Sequence, residues 1–177
     1  QVERYAKLIK VEGKKLSAMV EQILEFAGAR SGRKKYDFRA GNVAEIIENA
    51  LAECRPLIEE KNFTLESEIA ENLPPLKADS NALSQAIQNL ITNSLKYSAG
   101  EKWIKIAARN GGGKIKISVE DRGIGIGKAD LKHIFEPFYR AKTVVDEQIR
   151  GNGLGLSLVK ETVEAHGGRI SVESEPK

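Results

Sequence analysis

Hydrophobic positions divide the chain into segments with either helical or strand-like periodicity. Residues 1–28 repeat apolar side chains every seven positions, with further apolar residues three and four positions later, which predicts a helix of the coiled-coil or helical-bundle kind. The repeating positions are Val2, Ile9, Leu16 and Ile23. The stretch from Gly28 to Phe38 interrupts this pattern with glycine and basic residues, which is typical of a linker.

Two longer segments have the period of helices that bury one face. Residues 42–61 place apolar side chains at helical spacing, and Asn42 is a suitable N-cap for them. Residues 81–98 predict the second helix, whose expected core-facing residues are Leu83, Ile87, Leu90 and Ile91. Two further helices are predicted at 128–135 and at 153–166, the latter ended by Gly167-Gly168.

Strands are predicted where polar and apolar residues alternate. Residues 102–109 and 114–120 alternate clearly, and the glycine-rich connector 110–113 makes them a hairpin. In the second strand, Ile115, Ile117 and Val119 share one face. Shorter strands are predicted at 63–69 and 169–174. Because the strands are half polar, only one face of the sheet is covered, and we predict a two-layer α/β sandwich with a largely antiparallel sheet and helices on one face, preceded by a helical-bundle helix.

Composition and charge narrow the function classes only slightly. The net charge of +3 gives no argument for a nucleic-acid partner, and the single cysteine, Cys54, fits a reducing, cytoplasmic compartment. No apolar run approaches the roughly 20 residues that span a bilayer. The chain begins at Gln1, which indicates a fragment, so any anchor in an inner membrane is expected outside it.

Two glycine-rich loops, "DRGIGIG" (121–127) and "GNGLGL" (151–156), suggest close approach of the backbone to a ligand. The first is not a P-loop, because Arg122 stands where that motif needs glycine and Ala129 where it needs serine or threonine. The second is not a dinucleotide-binding loop, because Leu156 replaces the third glycine and no buried strand precedes it. It does open a predicted helix, whose first amides are suited to phosphate.

The predicted helix at 81–98 adds a second polar feature. Asn89, Asn93 and Lys96 are spaced at i, i+4 and i+7 and so share one helix face. Amide oxygens are suitable ligands for Mg²⁺, and an ammonium group is suited to phosphate. A solvated helix face would show the same spacing, and a flexible loop would show the same glycines, so each feature alone leaves both interpretations open.

Four short motifs, taken together, resemble the N, G1, F and G2 boxes of sensor histidine kinases of two-component systems. They are "NLITNSLKY" (89–97), "DRGIGI" (121–126), "IFEPFYR" (134–140) and "GNGLGLSLVK" (151–160). The resemblance covers nearly all of residues 37–175 and implies the GHKL, or Bergerat-type, ATP-binding fold with a mixed, mainly antiparallel sheet.

The resemblance implies a site for ATP and Mg²⁺. Asp121 would accept a hydrogen bond from the 6-amino group of adenine, which guanine cannot offer. Asn89 and Asn93 would place Mg²⁺. Lys96 and Arg140 would neutralise phosphate charge, which is the only catalytic contribution expected. The other implied nucleotide contacts are Tyr97, Gly123, Gly125, Ile126, Phe135, Phe138, Gly151, Gly153, Leu154, Gly155 and Leu156.

The resemblance also implies how the chain is divided. The expected parts are the second helix of a dimerisation and histidine-phosphotransfer hairpin (1–30), a linker (31–36), and the catalytic ATP-binding domain without its C-terminal strand (37–177). Within the last part, Phe135 and Phe138 would anchor a mobile lid of about residues 127–152, which closes over the triphosphate.

The expected function is transfer of the ATP γ-phosphoryl group to a histidine, for relay to an aspartate in the receiver domain of a response regulator. Neither His133 nor His166 is followed by an acidic residue, as the family's phosphoacceptor usually is. Both are interpreted as surface or capping residues, and no autokinase activity is expected of this fragment alone. The full-length protein is expected to form a homodimer through the N-terminal helical hairpin.

Two alternatives share part of the pattern: a GHKL-type ATPase and an anti-sigma-type serine kinase regulatory module. The related ATPases carry a glutamate four residues before the metal-binding asparagine. Here that position is Asn89, whose amide cannot take a proton near neutral pH. The heptads of residues 1–28 and the F box favour the histidine kinase.

Overall fold

The computed structural model describes residues 2–30, 34–98, 100–141, 149 and 151–176. It forms two compact units, Gln1–Lys35 and Tyr36–Lys177. Of the predicted linker 31–36, residues 31–33 lie outside the described residues.

The first unit contains one long helix, α1 (Val2–Arg30). Three of the repeating apolar residues are exposed, with 71% of Ile9, 65% of Leu16 and 43% of Ile23 accessible to solvent. The predicted helix is therefore confirmed, and it carries an exposed apolar stripe. No helix among the described residues combines the length and the apolar character needed to cross a membrane.

In the second unit, the described residues form three α-helices and two small sheets. Its elements are β1 (Arg39–Gly41), α2 (Val43–Glu60), β2 (Thr64–Ile69), β3 (Leu76–Ala78), α3 (Ser80–Tyr97), β4 (Glu101–Gly111), β5 (Lys114–Arg122) and α4 (Gly155–Ala165). The larger sheet has the order β2-β4-β5, with β2 and β4 parallel and β4 and β5 antiparallel. Strands β1 and β3 form a separate antiparallel pair, which the sequence pattern did not predict.

The core lies between the larger sheet and helices α2 and α3. Along β4, Ile104, Ile106 and Ala108 are fully buried and belong to one cluster with the apolar faces of these helices. The opposite face of the sheet is polar: Trp103 Nε1–H donates to Glu66 (2.7 Å), and Lys105 pairs with Glu68 (2.5 Å). Helices on one face of a mixed sheet are therefore confirmed, and apolar burial on that side is the main source of stability.

Helix ends are defined by side chains and by glycine. The Asn42 side chain accepts a hydrogen bond from the Ala44 N–H (2.9 Å), which confirms the predicted N-cap of α2. Asp79 caps α3 in the same way, through the Ala82 N–H (3.0 Å). At the end of α4, Gly167 has φ +70° and the Gly168 N–H donates to the Val163 carbonyl (2.9 Å), so the predicted glycine C-cap is also confirmed.

The hairpin between β4 and β5 is tighter than predicted. The strands extend to Gly111 and from Lys114, which leaves Gly112 and Gly113 as the turn, both with positive φ. This conformation suits the twist of a two-residue hairpin. At the other end of the pair, the register shifts between Glu101 and Ile104, and Ile104 pairs with Asp121. An irregularity at this point is typical of strands that present a functional side chain.

Two predicted elements are wrong. The helix predicted at 128–135 is reduced to a single 3₁₀ turn, Asp130–Lys132, because the stretch between Gly127 and Pro137 is too short to repay helix nucleation. No strand is formed by the described residues of the segment predicted at 169–174. That segment is held instead by the Ser174 side chain, whose Oγ accepts from the Ile126 N–H (3.0 Å).

Candidate functional site

Three chain segments meet beside the C-terminal half of α3. They are the end of β5 with the loop that follows it, the stretch from the 3₁₀ turn to Ala141, and the loop that leads into α4. Helix α3 packs against both β5 and α4, so its side chains can contact all of these loops. The residues implied by the four sequence motifs lie along these segments.

The Asp121 carboxylate is the most strongly fixed polar group of this region. Its Oδ2 accepts from the Ser94 hydroxyl (3.0 Å), and its Oδ1 accepts from the Ser98 hydroxyl (3.1 Å) and from the Gly123 N–H (2.8 Å). Ser94 and Ser98 are buried, whereas Asp121 itself is exposed. The carboxylate is thus oriented from the protein interior and remains accessible to a ligand.

Gly123 occupies a place that no larger residue fits. A Cβ atom there would lie 2.7 Å from Asp121 Oδ1, 2.7 Å from the Tyr97 carbonyl oxygen and 2.9 Å from Ser98 Oγ. The next residue fixes the loop, because the Ile124 N–H donates to the Tyr97 carbonyl (3.1 Å). The loop after β5 is therefore pinned to the end of α3.

The second glycine of this loop faces the C-terminal segment. Gly125 has φ +72°, and a Cβ atom there would collide with the backbone of Glu175 and lie 2.9 Å from the Cα of Pro176. Ile126 is tied to the same segment through its N–H and Ser174 Oγ. The roles implied for Gly125 and Ile126 beside a purine remain predictions. The structure shows that the C-terminal segment contacts both residues.

The predicted cation and carboxamide face of α3 meets the loop before α4. Asn89, Asn93 and Lys96 are all half-buried. The Lys96 ammonium lies against Gly151 and 5.0 Å from the centre of the Tyr97 ring. A Cβ atom on Gly155 would lie 3.9 Å from Asn93 Nδ2. The structure therefore brings the N-box residues Asn93, Lys96 and Tyr97 together with the glycines of the second loop.

The donor set on this face fits a hard cation that also binds phosphate. Neutral carboxamide oxygens are acceptable ligands for Mg²⁺, which keeps several waters and takes phosphate oxygens. Across the described residues, no three His, Cys, Asp or Glu side chains come together as a metal-ligand group. The assignment of Asn89 and Asn93 to Mg²⁺ remains a prediction.

The predicted lid is attached through its backbone. The Phe138 N–H donates to the Gly153 carbonyl (3.0 Å), while the Phe138 ring is 59% exposed. Phe135 is half-buried and Ile134 is the buried residue of this stretch. The Tyr139 hydroxyl donates to Asp130 (2.5 Å), and this hydrogen bond raises the pKa of Tyr139. Residues 142–148 and 150 of the lid, predicted at about 127–152, lie outside the described residues.

Two further site residues, Arg140 and Leu154, have hydrogen-bond partners of their own. The Arg140 guanidinium donates to the Ile149 carbonyl. The Leu154 side chain is fully buried, and its N–H donates to Asn152 Oδ1 (3.1 Å). Leu154 gives α4 no side-chain cap, so the amides at the start of that helix, near half-buried Leu156, keep their potential to bind an anion.

Both histidines form hydrogen bonds within the protein through ring nitrogens. His133 Nδ1 lies 2.8 Å from the Glu136 carboxylate on the surface. His166 Nε2 accepts from the Asp79 N–H (3.0 Å), so its Nδ1–H donates to the Thr162 carbonyl (2.7 Å). The interpretation of the two as surface and capping residues is confirmed.

Sequence reasoning missed the serines around Asp121. Ser94 on α3 and Ser98 at its C-cap are four residues apart, so they lie on the same side of the helix end, and both are buried. Polar side chains on a buried helix face need a partner, which was the available signal. Their partner is 23 to 27 residues away in the chain, and only the pairing of β5 beside α3 identifies it.

The sequence matches a known protein family and several sensor proteins. The model of the family "Histidine kinase-, DNA gyrase B-, and HSP90-like ATPase" matches residues 78–177. The alginate biosynthesis sensor protein KinB of Pseudomonas aeruginosa is 33% identical over 165 residues, which cover 93% of this chain and 27% of KinB. The sensor-like histidine kinase SenX3 of Mycolicibacterium smegmatis is 30% identical over 175 residues, or 99% of this chain and 45% of SenX3. The chain thus spans less than half the length of these relatives.

Solved structures share the fold. Full-length ShkA in complex with AMPPNP superposes with a TM-score of 0.84 at 24% identity, over 98% of this chain and 36% of ShkA. Histidine kinase ThkA in complex with the response regulator protein TrrA gives a TM-score of 0.71 at 24% identity, over 95% of this chain and 46% of the ThkA chain. Since the family model matches more than half of its residues, the chain belongs to the histidine kinase-, DNA gyrase B- and HSP90-like ATPases.

Proposed function

We propose that this chain is the ATP-binding catalytic part of a sensor histidine kinase, which transfers the γ-phosphoryl group of Mg·ATP to a histidine outside residues 1–177. The observation that carries the proposal is the Asp121 carboxylate, which accepts three hydrogen bonds from the interior and is still exposed. It lies on the same helix-and-loop assembly as the Lys96 ammonium and the glycines before α4.

The carboxylate selects the base. An ionised carboxylate only accepts hydrogen bonds, so it can bind the 6-amino group of adenine but meets another acceptor in guanine. A polar group left unpaired in such a contact costs about 1–3 kcal/mol, which is enough to prefer ATP. The structural relative ShkA, which was solved with the adenine nucleotide AMPPNP, supports this choice.

Lys96, Arg140 and the amides at the start of α4 would hold the triphosphate. The Lys96 ammonium already lies against Gly151, at the loop that leads to those amides. Mg²⁺, when bound, supplies positive charge that stabilises phosphoryl transfer, and Asn89 and Asn93 would hold it. Phosphoryl transfer depends mainly on such positioning and charge stabilisation.

Asn89 supports a kinase over a hydrolase. A hydrolase of this family needs a base that activates water, and the carboxamide of Asn89 does not take up a proton near neutral pH. The chain would therefore keep bound ATP intact until a histidine nucleophile is presented. The relatives named as sensor kinases support the same assignment.

The proposed partners follow from the first unit and from the relatives. The apolar stripe of α1 is exposed and has the heptad spacing that suits pairing with other helices, which supports a homodimer in the full-length protein. ThkA was solved with a response regulator protein, and a receiver domain is accordingly the proposed acceptor of the phosphoryl group.

Two measurements test the proposal. Calorimetric titration of the chain with ATP and Mg²⁺ should show saturable binding that Asp121→Asn weakens, and absence of binding would contradict the proposal. The protein extended upstream to include a histidine-bearing helix should then take up acid-labile, base-stable label from γ-labelled ATP. Acid-stable label would indicate a serine kinase, and release of free phosphate alone would indicate an ATPase.

A further inference from the structure

We propose that Ser94 and Ser98 are positioning residues that determine base specificity: they hold Asp121 with one acceptor position left open, and this position selects purines that carry a 6-amino group. The inference rests on the proposed function and deepens it. It assigns a role to two buried hydroxyl groups that lie behind the carboxylate and do not themselves contact the nucleotide.

The two serines hold the Asp121 carboxylate between them, Ser94 from α3 and Ser98 from its C-cap, and are called the bracket below. They are one helical turn apart, and each hydroxyl donates to a different oxygen of Asp121, Ser94 to Oδ2 (3.0 Å) and Ser98 to Oδ1 (3.1 Å). A carboxylate held through both oxygens cannot rotate without breaking one of these bonds. The bracket therefore fixes the plane of the carboxylate as well as its position.

Burial makes the bracket obligatory. Ser94 is 4% exposed and Ser98 is fully buried, so neither hydroxyl can turn to solvent. Each has a single proton to donate, and a helical serine often donates it to a carbonyl of the preceding turn. Here both protons go to Asp121, which leaves the carboxylate as the acceptor that both hydroxyls share.

The number of acceptor positions on the Asp121 carboxylate accounts for the proposed preference for a 6-amino group. A carboxylate offers about four lone-pair positions. Donors from the described residues occupy two on Oδ1, from Ser98 and Gly123, and one on Oδ2, from Ser94. The fourth position is on Oδ2, has no donor among the described residues, and can accept a single N–H from a ligand because Asp121 is exposed. A 6-amino group supplies that donor, whereas a 6-oxo group does not.

The chain offers a matched control for this bracket. Ser84 is also buried on α3, but its hydroxyl lies 3.4 Å from the side-chain amide of Gln88 on the same helix. Ser84→Ala therefore removes a buried helical hydroxyl without changing Asp121. Comparison of Ser84→Ala with Ser94→Ala and Ser98→Ala separates the bracket from a general effect on α3.

The test compares two nucleotides that differ only at position 6 of the purine. ATP and purine riboside triphosphate, which lacks the amino group, are titrated with Mg²⁺ by calorimetry into the unmodified chain and the three variants. We expect Ser94→Ala and Ser98→Ala each to lower ATP affinity roughly 10-fold, as for loss of a charge-assisted hydrogen bond. Affinity for the analogue should change less than about twofold, and Ser84→Ala should change neither.

The outcomes distinguish the inference from the proposed function. If Ser94→Ala and Ser98→Ala lose both nucleotides in parallel, or keep full preference for ATP, the serines have no role in specificity and the inference is overturned. If the unmodified chain binds neither nucleotide, the proposed function fails and takes the inference with it. Should Ser98→Ala not fold, Ser94→Ala alone decides, because Ser94 donates to Oδ2, the oxygen with the open acceptor position.

Discussion

The backbone N–H of Phe138 donates to the carbonyl of Gly153 at 3.0 Å, and both residues have positive φ, 64° and 73°. A left-handed conformation costs a bulky residue such as phenylalanine roughly 1–2 kcal/mol. The strained Phe138 is thus held by a hydrogen bond to Gly153, a glycine that also has a positive φ. The F-box and G2-box loops are joined by backbone, while the phenyl ring is exposed.

Gly153→Ala should uncouple these two loops. A Cβ atom at position 153 would lie 2.6 Å from the Phe138 carbonyl carbon and 2.7 Å from the Tyr139 carbonyl oxygen. We expect Gly153→Ala to lower the free energy of unfolding, measured in urea, and to weaken ATP binding. Gly113→Ala is the control, since Gly113 has φ 77° but open space around it, and should cost only about 1 kcal/mol. Equal costs for the two variants would contradict the coupling.

Lys96→Met should separate phosphate binding from base binding. The Lys96 ammonium lies against Gly151 at the proposed triphosphate site. We expect affinity for ATP to fall about 10-fold, as for loss of one charge-assisted contact, with adenosine affinity unchanged. Lys160→Met is the control, because Lys160 pairs with Glu164 on the surface of α4. If calorimetry shows a similar loss of affinity for adenosine and for ATP, Lys96 does not act by binding the triphosphate.

The Asp79 cap should contribute to acid stability. Burial alone would raise the pKa of the Asp79 carboxyl, but the N–H groups of Ala82 and Asp37, with His166 nearby, outweigh burial and hold this pKa below its ordinary value of 3.8. A carboxyl with a lowered pKa in the folded state stabilises the fold fully above its unfolded pKa. That contribution is lost as the pH falls through the folded pKa.

Asp79→Asn tests this linkage, because asparagine can still cap α3 but does not titrate. We expect the free energy of unfolding of the unmodified protein to fall more steeply between about pH 5 and pH 2 than that of the variant. Asp37→Asn, which replaces an exposed carboxylate near the start of the second unit, should keep the steep profile. Parallel profiles for the unmodified protein and Asp79→Asn would disprove the assignment.

Substitution in the α1 stripe should affect assembly and leave the nucleotide site intact. Leu16 is 65% exposed on the repeating face of α1. In the full-length protein, Leu16→Glu should shift the species seen by analytical ultracentrifugation from dimer to monomer, because it places a charge in a helix–helix seam. Ser17→Glu adds the same charge at the neighbouring exposed position and should leave the dimer intact. An unchanged dimer in Leu16→Glu would remove the stripe from the interface.

Long periodic segments were predictable because burial of one face requires periodic sequence. Helices α2 and α3 were located within about one residue at each end, and the β4–β5 hairpin followed from alternation and glycine. Strands β1 and β3 have three residues each, too few to show a period. The segment at 128–135 has apolar residues at helical spacing, yet between Gly127 and Pro137 only one 3₁₀ turn forms.

The site was predictable in its outline and not in its supports. Asp121, Lys96 and the glycines belong to short motifs that can be read along the chain. Ser94 and Ser174 act on residues far away in sequence, and a buried serine on a helix gives no sign of which distant group it bonds. Such contacts depend on how strands and helices are paired, which periodicity does not determine.

Strand β5 has a neighbouring strand on one side only within the part of the chain that the structure describes. An edge of this kind invites another chain to add a strand and start aggregation. The exposed positions along it are charged, including Lys114, Lys116 and Glu120. An incoming strand would have to strip water from these groups, so the same alternation that builds the core also keeps this edge from recruiting other chains.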